Sequence, residues 1–213
     1  MNPAVDSLLV IVLLLNFLAL GTTRIFTIIR AVALQGVLLG LLPVLVRGEL
    51  SWHTLLLAAA PMALKGVAIP AMLFRAVRDT EIRREMEPLI GVVPSLLLGA
   101  AGTAAALLFS RQLPLLRADA GTLVVPAALA TALAGFVILT GRSKAISQVL
   151  GYLLLENGIF VFGLVFVEPM PLLVEFGVLL DLFVCIFVMG MILHHISREF
   201  SSLNTRHLSA LKD

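Results

Sequence analysis

The chain has 213 residues, 60% of them hydrophobic and 13% charged, with a formal net charge of +2. Soluble domains carry about a quarter charged residues and roughly 45–50% apolar ones, so a mean hydropathy of +1.09 places this chain in a membrane. At about 20 residues per span, its seven apolar runs take up roughly 140 residues and leave no room for a soluble domain.

Composition removes several functions as well. The single cysteine, Cys185, lies within an apolar run, so there is no disulfide framework, no CxxC pair, and no means of holding a cysteine-ligated cluster or thiolate-bound nickel alone. No phosphate loop, HExxH or GxSxG occurs. The scattered arginines report membrane topology before nucleic acid.

The runs fall at 5–23, 26–46, 54–76, 89–110, 121–141, 148–167 and 173–195. The first lacks a basic n-region and has Asp6 near its start, so it is expected to remain as a span and not to be cleaved as a signal peptide. The second carries Arg30 near one end and a Gln35-Gly36 step. The third holds Lys65 near its middle, between Pro61 and Pro70; a proline frees a carbonyl one turn back, which predicts a bent or broken helix, with water or with kinked packing. Between the third and fourth runs, VRDTEIRREMEP (77–88) places Asp79, Arg83 and Glu87 at i,i+4 spacing, suited to a solvated helix or a plain connector. The sixth run carries Gln148, Tyr152 and Glu156 at i, i+4, i+8, read either as a stripe for a water chain or as a packed polar seam. Asn157 adds an amide there, and Gly151, Gly158 and Gly163 permit close helix approach. The seventh holds Glu175 and Asp181, with His194 and His195 at its end read as interface anchors and not metal ligands. The tail, 199–213, either lies on the interface or docks on a partner.

Short basic flanks set orientation. One side carries Arg47, Arg111 and Arg117; the other carries Arg24, Arg75, Arg78, Arg83, Arg84, Arg142, Lys144, Arg198, Arg206 and Lys212. Ten against three puts the C-terminus in the cytoplasm and the N-terminus outside. Spans 1–3 and 5–7 then share orientation, a pattern open both to a tandem three-helix repeat and to chance.

Lys65, Glu156 and Asp181 lie well inside their runs, while Arg30 and Glu175 are nearer the ends. Each charge at mid-membrane costs roughly 2.5–3.5 kcal/mol. A pair that only locks the bundle is a poor return on that cost, because apolar residues of similar volume stabilise as well or better. Intramembrane acids and lysines are instead suited to a proton path.

The stretches KGVAIPAMLFR (65–75), GRSKAISQVLGYLLLENGIFVFGL (141–164) and PLLVEFGVLLDLFVCIFVMGMILHHISREFSSLNTRHLSALKD (171–213) resemble the hydrogenase-4 component E family. The resemblance extends over most of the chain and is densest from residue 141 onward. Over its last three spans that family is similar to the small three-helix chain 4L subunit of respiratory complex I. The C-subunit of multisubunit sodium/proton antiporters is a further relative.

The resemblance implies an accessory subunit of a complex I-like, membrane-bound nickel–iron hydrogenase or formate hydrogenlyase. It implies no catalytic centre and no cofactor in this chain; the nickel–iron site and iron–sulfur clusters belong to cytoplasmic large and small hydrogenase subunits. The other implied partners are antiporter-like subunits, a quinone-chamber-like subunit and the lipid bilayer, with no nucleic acid. In chain 4L relatives two intramembrane glutamates carry protons. Glu156 matches the first; the second falls near Asp181, with Asp in place of Glu, and Glu175 is an off-register candidate.

The expected fold is all-α, a polytopic protein of seven transmembrane helices in the cytoplasmic (inner) membrane. Residues 1–120 form an N-terminal region of four spans, 121–195 a chain 4L-like unit, and 196–213 a cytoplasmic tail. The expected proton path comprises Glu156, Asp181, Lys65, Glu175, Tyr152 and Gln148. The rival readings are a small subunit of a cation/proton antiporter and a membrane scaffold that conducts nothing.

Overall fold

A computed structural model describes residues 3–47, 59, 62–79, 89–112 and 123–164. The described chain is 90% helical and has no strand, which fixes the all-α class. Its helices are α1 (Pro3–Leu20), α2 (Ile25–Arg47), a π-helical turn (Leu64–Ala68), α3 (Ile69–Asp79), α4 (Val92–Ser110), α5 (Val124–Gly141) and α6 (Ala145–Leu164). Five of them, α1, α2, α4, α5 and α6, are long and apolar enough to cross a membrane. The expected seventh span, 173–195, and the tail lie outside the described residues. The third span is described from Met62 and ends later than expected, because α3 runs on to Asp79 and buries Val77 at 3% exposure.

Helices with an apolar circumference pack here through small residues. Antiparallel α5 and α6 meet so closely that a Cβ on Gly151 would lie 2.5 Å from the Leu139 backbone nitrogen. Gly158 faces the backbone of Ala128 and Ala132 in the same way. Without a strong hydrophobic drive between helices in lipid, such close approach is what supplies dispersion contact.

Polar contacts fix the register of α1 beside α5. At one end Asp6 Oδ1 accepts a bond from the backbone N–H of Leu123, 3.2 Å away, at the start of α5. A carboxylate is favoured there by the helix dipole. At the other end Arg142, just past α5, donates from Nη2 to the Leu20 carbonyl at 3.4 Å. That carbonyl belongs to the last turn of α1, where intrahelical partners run out. The two helices therefore run parallel, pinned top and bottom.

The backbone N–H of Leu89 also reaches the Gly141 carbonyl, at 2.9 Å, so α4 begins at the end where α5 stops. Phe26 and Phe74 stack with centroids 5.7 Å apart, which brings the far end of α3 to the start of α2. Arg24, Arg75, Arg78, Arg142 and Lys144 thus gather at one end of the bundle, and Arg47 and Arg111 stand at the other. Two apolar cores result. One, toward the basic end, joins Leu20, Ile28, Leu73, Ile138 and Leu150; the other joins Leu9, Val12, Leu42, Ala128 and Val161. Each draws on helices from both 1–120 and 121–195.

Candidate functional site in the bundle interior

Between those two cores lies a polar layer. On α1 it falls between Val12 and Ala19, on α2 between Val32 and Leu39, on α5 between Ala128 and Ala134, and on α6 between Leu154 and Val161. The residues in those gaps are Asn16, Gln35, Thr131 and the Glu156–Asn157 pair, all buried.

Lys65 reaches this layer from the π-helical turn. The turn has a local cause: Pro70 has no N–H to give to the Gly66 carbonyl, and its ring crowds that carbonyl. The helix widens upstream, and the N–H of Ile69 bonds the Leu64 carbonyl five residues back. Gly36 makes room for the widened turn, since a Cβ there would lie 2.8 Å from Cβ of Lys65. The sequence predicts a bent or broken helix around Lys65; the structure has a widened turn that runs on into α3, for which Pro70 gives the reason, and Pro61 lies outside the described residues.

Lys65 Nζ lies 3.4 Å from Glu156 Oε1, with the two side chains 6% and 3% exposed. The ammonium is also 5.8 Å from the centre of the Phe160 ring. Glu156 and Phe160 are one turn apart on α6, so one helix face presents both a carboxylate and a π surface to the same cation.

Beside the ion pair runs a chain of neutral amides. Asn157 Nδ2 donates to Gln35 Oε1 at 3.4 Å; Gln35 Nε2 donates to Asn16 Oδ1 at 2.7 Å and to the Val12 carbonyl at 3.0 Å. Asn16 Nδ2 then donates to Thr131 Oγ1 at 2.8 Å. The chain links α6, α2, α1 and α5. Buried polar groups paired in this way rigidify and specify a core. Amides and hydroxyls do not titrate near neutral pH, so this branch orients its neighbours and takes up no proton.

Of the six residues expected on a proton path, the structure brings Lys65 and Glu156 together. Tyr152 is half-buried and packs against the basic-end core. Gln148 is exposed. The physical reason is helix drift: residues eight apart differ by about 80° around the axis, so the i, i+4, i+8 stripe turns from surface to interior along its length. Asp181 and Glu175 lie outside the described residues. Among the described residues no three His, Cys, Asp or Glu side chains converge as a metal site would require.

Asn16 and Thr131 do not stand out in the sequence, and Gln35 does so only within the Gln35-Gly36 step of a possible repeat. The available signal was a lone polar side chain inside each apolar run. It also counted Arg142 as a loop charge, whereas it is 1% exposed. Burial lowers its pKa from the ordinary value.

Rv0085 of Mycobacterium tuberculosis (strain ATCC 25618 / H37Rv), an uncharacterized protein, is 34% identical over 191 residues, covering 87% of this chain and 86% of its own. No protein-family profile matches the chain. No solved structure matches it.

Proposed function

We propose that this chain, which belongs to the family of that mycobacterial protein, for which no activity is given, is an accessory membrane-arm subunit of a complex I-like nickel–iron hydrogenase or formate hydrogenlyase. The assembly rests on the resemblance of residues 65–75, 141–164 and 171–213 to hydrogenase-4 component E, and the proton-carrying role on the buried site. In this reading the chain has seven spans, the described five plus those around 54–76 and 173–195. It lies in the cytoplasmic membrane with its C-terminus inside. The hydrogenase chemistry belongs to partner subunits, and this chain supplies intramembrane acid–base groups for proton translocation.

The observation that carries the reading is the buried Lys65–Glu156 pair at 3.4 Å between two apolar cores. A pair retained at that depth stabilises less than apolar packing would, and proton relays are built from such groups. Glu156 is the central carrier and Lys65 the cation that modulates it. The neutral amides on the α1 side give the proton no onward site there. Transfer therefore continues through titratable groups, for which Asp181 and Glu175 are the candidates in this chain.

The assembly is tested by purifying the tagged chain in mild detergent and identifying by mass spectrometry what accompanies it. The expected result is a nickel–iron large subunit and cluster-bearing subunits together with antiporter-like proteins. Antiporter subunits alone would replace this reading with a cation/proton antiporter, and recovery of the chain by itself would overturn it.

A further inference from the structure

A groove of about 430 Å³ runs on the outside of the bundle between α2 and the π-helical turn with α3. Its walls are Ala33 and Val37 on one side and Gly66, Pro70 and Ala71 on the other. It exists because Gly66 adds no side chain where α2 approaches; a Cβ there would lie 2.6 Å from Cγ2 of Val37. All of its lining is apolar except Arg30.

Arg30 is exposed, yet it belongs to the segment of α2 apolar enough to cross a membrane. It stands five residues into α2, about 7.5 Å along the axis from the helix start. That start is the basic end, shared with Arg24, Arg75 and Arg78. Among the described residues no carboxylate forms an ion pair with Arg30. A guanidinium at hydrocarbon depth without a counter-ion is costly, and an arginine side chain is long enough to meet an anionic headgroup from there.

We propose that this groove binds an acidic phospholipid, with the phosphate on Arg30 and an acyl chain along Ala33, Gly66 and Ala71. The match is amphiphilic: the cation lies toward the basic end and the apolar trough continues from it toward the membrane interior. Basic pockets between membrane helices hold anionic headgroups in this way. The proposal requires only that the chain is embedded in a bilayer, so it stands or falls separately from the hydrogenase reading.

The test takes the full chain from vesicles of equal phosphatidylglycerol and phosphatidylcholine with identical acyl chains, and measures retained lipid by native mass spectrometry. The wild type is expected to retain phosphatidylglycerol preferentially. R30Q lowers that preference about five-fold, the ratio equivalent to one basic residue at an anionic surface. Ala71→Leu, which fills the trough, lowers retention of both lipids, and R78Q, at the same end but outside the groove, leaves the preference unchanged. An unchanged ratio in R30Q overturns the proposal, as does an equal loss in R78Q, which would mean diffuse surface attraction. A photo-crosslinker at Leu34 that traps a protein helix in place of lipid also overturns it.

Discussion

Lys65 and Glu156 are each buried beyond the reach of bulk water, so neither is innocuous without the other. Deleting one member of a buried pair typically costs about 3–5 kcal/mol, because the survivor keeps its desolvation penalty. Lys65→Met is therefore expected to lower the thermal midpoint in detergent by roughly ten degrees. Adding Glu156→Gln should recover most of that loss; a double variant as unstable as the sum of the singles would mean the two groups are not coupled. Arg142 acts differently. Its guanidinium caps α1 from the end of the neighbouring α5, so Arg142→Met should cost about 1–3 kcal/mol in unfolding measurements. Burial lowers its pKa, but arginine stays charged at any ordinary pH. A folded-state pKa below the ordinary value means that deprotonation, confined to strong alkali, would favour the folded state, so at ordinary pH the contribution of Arg142 carries no pH dependence. The stability difference between wild type and variant should be flat from about pH 5 to 9; a difference that grows or vanishes in that window would place its origin elsewhere.

At the scale of elements, the α5–α6 contact is the tightest test of packing. Any side chain at Gly158 must push into the backbone at Ala128 and Ala132. Overpacking of this kind costs about 1–3 kcal/mol when neighbours can shift, and backbone shifts less readily than a side chain. Gly158→Leu is expected to abolish the monodisperse peak in size-exclusion chromatography, whereas Ile159→Leu, on the exposed side of the same helix, should leave it intact. Equal behaviour of the two variants would refute the close approach. These elements were partly legible in the sequence. Apolar run length gave the helices, and Pro70 marked a distortion beside Lys65, though as a bend or break where the structure has a widened turn. The glycines of the sixth run announced close approach without naming α5 as the partner, because spacing along one helix does not say what faces it. Gln148 illustrates the limit of reading stripes: four-residue steps accumulate rotation, and the first member of the row ends on the surface.

For the whole molecule, alternation of apolar runs was enough to place Arg24, Arg142 and Lys144 at one end and Arg47 and Arg111 at the other, and the helix termini agree. The polar layer was less legible. Mid-run charges stand out by their transfer cost, but Asn16 and Thr131 are single neutral interruptions. Their meaning appears only when four helices bring them into one hydrogen-bonded chain. Orientation itself is testable in a chain whose Cys185 is replaced by Ala. Ser143→Cys is expected to react with an impermeant maleimide only in inverted vesicles, and Gln112→Cys only in intact cells; the opposite pattern would invert the topology.

The central claim is that Glu156 carries protons and does more than hold helices together. It is tested most directly by donor-driven proton uptake into inverted membrane vesicles, comparing wild type with Glu156→Gln at matched content of the assembled complex. The expected result is loss of uptake with electron transfer to the terminal acceptor retained in the complex that assembles, whose yield falls because Lys65 is left without its counter-charge; Gln keeps the shape of Glu but cannot take up a proton. Undiminished uptake per assembled complex would contradict it and leave the Lys65–Glu156 pair as a structural tie.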